Sequence, residues 1–108
     1  MEIVMATTTA QTGYLHITKD PRVCGGKPCI DKTRIRVMDI VGLHQAGYTP
    51  EQMLNVYATP LTLAQVHAAL AYYYDHPEEI EENFAEDDRI EAEIEREQAE
   101  HVNRPAKD

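Results

Sequence analysis

The sequence predicts a mainly α fold in which a compact three-helix unit is preceded by short β-strands and followed by an acidic C-terminal helix. Three observations point there. Hydrophobic spacing changes from alternation to a helical period at Val37; cap-like starts stand at Thr49, Thr62 and Asp75; and acidic residues crowd the chain after Asp75. Residues 14–74 carry six bases and four acids, whereas residues 75–108 carry fourteen acids and four bases. The net charge of -9 therefore belongs to the tail, and the preceding unit is mildly basic.

A chain of 108 residues is expected to form one domain with a modest core. With no tryptophan and one phenylalanine, that core must be mostly aliphatic. The opening MEIVMATTTAQTG has an apolar run only over residues 3–6, too short for a secretory signal, and no segment approaches a membrane span. A cytoplasmic protein with reduced cysteines is expected. Residues 1–13 are expected to be disordered, residues 14–76 to form a strand arm plus helices, and residues 77–108 an acidic helical tail that frays beyond Ile94.

The elements follow in order. Tyr14-Leu15-His16-Ile17-Thr18 alternates like a half-buried strand, ended by Lys19-Asp20-Pro21. Two extended pieces, Pro28-Cys29-Ile30 and Arg34-Ile35-Arg36-Val37, are joined by Asp31-Lys32-Thr33. In the second, Ile35 and Val37 share one face while Arg34 and Arg36 share the other and stay wet. Val37, Ile40, Val41 and His44 then form one helical stripe that stops at Gly47. Thr49-Pro50-Glu51-Gln52 and Thr62-Leu63-Ala64-Gln65 are capping boxes, and Asp75-His76-Pro77-Glu78 is expected to be a third. The core face of the third helix is expected to hold Leu63, Val66, Leu70 and Tyr73. Its outward face would present Thr62, Ala64, Gln65, His67, Ala68, Ala71 and Tyr72.

The stretch CGGKPCIDKTRIRV invites several chemistries. A phosphate-binding loop needs Ser or Thr after its lysine, but Pro28 follows Lys27 and offers neither hydroxyl nor backbone donor. Zinc needs four ligands, and no second close Cys or His pair accompanies Cys24 and Cys29. Cys29 reads as a small buried residue. No nucleophile stands beside a recognisable base, so neither an enzyme nor a cofactor is expected.

The segments ITKDPRVCGGKPCIDKTRIRV, LHQAGYTPEQML and TPLTLAQVHAALAYYYDH together resemble the bacterial family of domain of unknown function 433. The resemblance runs from about Tyr14 to His76 and leaves out both ends. It implies a trihelical, homeodomain-like helix-turn-helix preceded by short strands. It also implies an antitoxin role, since members are often encoded beside a PIN-like nuclease toxin. The order of short helix, tight turn, short helix, turn and longer helix agrees, with residues 63–74 in the recognition position.

The expected function is accordingly an antitoxin-type DNA-binding regulator that neutralises a PIN-like nuclease; the alternative is a dimeric protein-interaction module without specific DNA binding. The recognition helix is poor in readers, with Gln65 able to pair with adenine and His67 able to reach a base or phosphate. Bases concentrate instead in Arg22, Lys27, Lys32, Arg34 and Arg36, either a backbone-gripping arm or a charge-guarded strand edge. In the tail, Ile80, Phe84, Ile90 and Ile94 are the expected partner contacts, although the first turns, near Ile80 and Phe84, can dock on the core or on a second subunit; the alternative is a solubilising tail. Short strands with open edges lead to the expectation of a homodimer.

Overall fold

The structure, a computed structural model, describes residues 10–103, with side chains from 12 to 100. Residues 1–9, most of the segment expected to be disordered, and residues 104–108 lie outside the described residues. Residues 10–13 do not follow that expectation, because β1 (Ala10–Gln11) pairs antiparallel with β2 (Ile17–Lys19). Thr12 fixes the intervening turn, its hydroxyl donating to the Ile17 carbonyl at 2.8 Å and accepting from the Tyr14 N–H at 3.1 Å. The strand expected over residues 14–18 is thereby shortened to its end, since Tyr14 to His16 belong to the turn and His16 takes a positive φ of 74°.

A single 3-10 turn, Cys24–Gly26, leads to β3 (Cys29–Ile30), which pairs with the other side of β2. The two expected extended pieces do form a hairpin, although the second contributes one bridge, Cys29 to Arg36, and not a strand. Its closure is the Ile30 N–H donating to the Ile35 carbonyl at 2.9 Å. Thr33 locks the tip by donating to the Ile30 carbonyl at 2.8 Å and accepting from the Ile35 N–H at 3.0 Å.

Four helices complete the fold: α1 (Val37–Gln45), α2 (Pro50–Met53), α3 (Leu63–Asp75) and α4 (Pro77–Asn103). Gly47, at φ 97°, ends α1 as expected, with the Tyr48 N–H reaching the Leu43 carbonyl and the Gly47 N–H the His44 carbonyl. Both threonine boxes form. Thr49 and Gln52 exchange bonds of 2.8 and 3.1 Å, and Thr62 and Gln65 bonds of 2.8 and 3.2 Å. The third box does not form. Pro77 at the first position of α4 leaves His76 as the single joint between α3 and α4, so Asp75 ends α3 and its carboxylate accepts from the Tyr14 hydroxyl.

The core gathers Ile17, Ile30, Val37, Ile40, Val41, Met53, Val66 and Ile80. On α3 the buried set is Val66, Ala69, Leu70 and Tyr72, with Leu63 exposed and Tyr73 only partly covered. The expectation that put Tyr72 outside and Leu63 inside is corrected. The sheet and α4 both pack on α3 besides α1, which widens and rotates the buried arc. Of the two placements open to the first turns of α4, they take the core: Ile80 is fully buried, and Phe84 lies over α1, 3.9 Å from where a Cβ on Gly42 would stand. The helix continues past Ile94 to Asn103, as suits a run of Ala, Glu, Gln and Arg without glycine or proline.

Ile80→Ala is therefore expected to lower unfolding free energy by about 2–5 kcal/mol, read from urea denaturation. Truncation after His76 should abolish the cooperative transition, whereas truncation after Arg89, which among the residues of described burial removes only exposed ones, should leave it intact.

Candidate functional site

The bases of the arm separate into two groups. Lys19, Lys27 and Arg36 face α4: Lys19 Nζ lies 2.7 Å from Glu79, Lys27 Nζ 2.9 Å from Glu86, and the Arg36 guanidinium 3.3 Å from Asp87. Positions 79, 86 and 87 share one face of a helix, so three ion pairs form one seam. Arg36 is held further by Asp39, whose carboxylate accepts from the Arg36 backbone N–H, Nε and Nη2 at 2.9 to 3.1 Å. The expectation that Arg36 stays wet is thus corrected, and Lys27, with 15% of its side chain exposed, is similarly committed. Asp39 raises the Arg36 pKa.

Glu79 is held from both sides, by Lys19 and by the Tyr72 hydroxyl, which donates at 2.7 Å. Burial alone would raise its pKa; the Lys19 and Tyr72 hydrogen bonds outweigh that and lower it. Burial and the same bond raise the Tyr72 phenol. Glu86 is lowered by Lys27. Cys29 is buried, and desolvation together with Cys24 pushes its thiol up to about 12, which leaves it without nucleophilic character at neutral pH.

Lys32 and Arg34 form the second group. Both are exposed at the Thr33-locked tip and touch no carboxylate among the described residues. With Val23, Thr33 and Thr59 they line an open depression of about 450 Å³, which brings the tip beside the loop that leads into α3. Arg22 is 70% exposed but folded onto Asp20. Gln65 spends its amide oxygen on the cap, whereas His67 is exposed and shares a face with Ala64, Ala71 and Tyr74. Tyr74 bonds His44 at 3.0 Å.

Of the expected partner contacts, Ile80 is withdrawn into its own core and Phe84 is partly covered, whereas Ile90 and Ile94 stand about half exposed, at 49% and 48%. They lie one turn apart on α4 between Glu91, Glu95 and Gln98. Sequence reasoning missed Lys19, Thr59, Tyr57 and the pairing of Glu79, Glu86 and Asp87. Only the seven- and eight-residue spacing of those acids could have signalled a contact face.

These features define a small, mainly helical protein with a short antiparallel sheet, a basic hairpin tip and a projecting acidic helix. The profile of the family described as "Protein of unknown function (DUF433)" matches residues 17–73, and the chain belongs to that family. A crystal structure of a DUF433 member protein from Anabaena variabilis ATCC 29413 is similar at 37% identity, over 65% of this chain and 68% of that one, with a TM-score of 0.60. No curated protein matches. No helix among the described residues is long and apolar enough to cross a membrane.

The lowered Glu79 pKa carries a pH dependence. Its stabilising contribution is complete above its ordinary value of 4.5 and disappears as pH falls through the lower folded value. Urea midpoints should accordingly decline as pH falls from about 6 to about 3, and Glu79→Gln, which keeps an acceptor for Tyr72, should flatten that decline.

Proposed function

We propose that the protein is an antitoxin-type regulator in which a homeodomain-like helix-turn-helix, α2 to α3, faces DNA and the projecting part of α4 binds and neutralises a basic PIN-like nuclease. One observation carries the reading. After its docked turns α4 continues as helix, strongly acidic, with Ile90 and Ile94 uncovered at helical spacing. A helix that only solubilised the chain would have no use for two such isoleucines, whereas a helix that docks on a basic protein needs both features. The homodimer belongs to the same proposal through β1, whose outer edge pairs with nothing among the described residues.

The DNA contact is narrower than composition suggests. Lys32 and Arg34 grip the phosphate backbone beside the start of α3, and His67 is the remaining polar group on its exposed face, while Lys27 and Arg36 are neutralised by α4. The second reading, an interaction module without specific DNA binding, is favoured by one finding, that the Gln65 side chain closes the Thr62 cap and leaves α3 an alanine-rich face.

In gel-shift titrations over a range of salt, Lys32→Ala with Arg34→Ala should reduce the log–log salt slope by about two per chain, whatever the DNA sequence. Gln65→Ala should change little. Ile90→Asp with Ile94→Asp should abolish inhibition of a nuclease encoded by the adjacent gene and leave the melting temperature unchanged. DNA binding that ignores the tip residues would favour the module reading, and a nuclease still inhibited by the isoleucine variant would remove the role given to α4.

A further inference from the structure

We propose that the groove between α1 and α4 is a docking site for one arginine side chain carried on an amphipathic helix of a basic partner protein. It rests on the reading of α4 as a partner surface and adds the chemistry of the anchor. The groove, about 340 Å³, is bounded by Gly42 and Leu43 on α1, by Tyr57 beyond α2, and by Phe84, Asp88 and Glu91 on α4. The Phe84 ring lies over α1 at Gly42, in ordinary contact distance of that position, with Tyr57 as a second aromatic wall. An apolar floor with two aromatic rings suits the stem and the flat face of a guanidinium.

The charge around this floor selects the occupant. Arg36, the one cation bordering the groove among the described residues, is already held by Asp39 and Asp87, while Asp88 and Glu91 have neither ion pair nor hydrogen bond. Two free carboxylates above an apolar floor repel nucleic acid, and they also repel the acidic α4 of a second copy. The chain's own residues 1–9 contain one acid and no lysine or arginine side chain, and Arg104 follows the far end of α4, whose last residue, Asn103, is twelve helical residues, about 18 Å, beyond Glu91. Asp87 and Glu91 also border the adjoining groove along Ile90 and Ile94. A partner helix lying along α4 can therefore place its cation against Phe84 and its apolar residues on the isoleucines, with specificity coming from the planar, bidentate guanidinium.

The test uses the full-length protein, labelled with 15N, and a synthetic amphipathic helical peptide with one central arginine on its apolar face and lysines on the other. A companion peptide carries citrulline in place of that arginine. Saturable shifts centred on Gly42, Leu43, Phe84, Asp88 and Glu91 are expected, with affinity reduced about tenfold or more by citrulline and by Asp88→Lys with Glu91→Lys. The rim residues are exposed, and unchanged thermal unfolding of the double variant would establish that its fold is kept. Equal affinity for the citrulline peptide, indifference to the rim reversal, shifts spread evenly along α4 to Glu100, or no saturable binding would each overturn the proposal. Should the groove fail while Ile90→Asp with Ile94→Asp still releases the nuclease, α4 remains the partner surface and only the arginine anchor is lost.

Discussion

Ile80 sits fully buried in the core, and around it Lys19, Lys27 and Arg36 grip Glu79, Glu86 and Asp87 along one face of α4. The two kinds of contact do different work. Burying an isoleucine contributes about 1.5–3 kcal/mol, whereas ion pairs between partly exposed side chains gain little because water screens them. The isoleucine therefore supplies the attachment, and the ion pairs fix the rotation and register of the helix on the body. Everything that α4 presents to solvent, including which of its isoleucines remain uncovered, follows from that register.

The same contact decides which charges are available for other uses. An acidic helix laid across a basic arm cancels Lys27 and Arg36 and leaves Lys32 and Arg34 free at the hairpin tip. The segregation of charge along the sequence is thus partly internal complementarity. What remains is a molecule with two unlike ends, a small basic tip beside α3 and an acidic projection with an apolar stripe. In the proposed regulator, such polarity would place an anionic and a cationic partner on separate surfaces.

Within the helical unit, side chains able to read a ligand are the ones that close the fold. Gln65 completes the cap of α3, Tyr72 is buried against Glu79, and Tyr74 is tied to His44. The exposed face of α3 is left with Ala64, His67, Ala71 and the ring of Tyr74. Any contact there depends more on shape and on the flanking cations than on a code of donors and acceptors.

The sequence by itself determined what neighbouring residues decide among themselves. The threonine boxes, the stop at Gly47, the alternation that buries Ile35 and Val37 and exposes Arg34, and the division of charge were all legible, because each rests on contacts within a turn or on local periodicity. Membership of the family was equally legible in its short motifs. Tertiary structure alone decided that Ile80 is core, that Tyr72 and not Leu63 faces inward, and that Arg36 meets Asp87, a partner 51 residues away. Those outcomes depend on where a distant helix comes to lie. A local pattern can say that a helix forms and which side is apolar; it cannot say how many neighbours will surround it, nor which of several equivalent carboxylates a given arginine will meet.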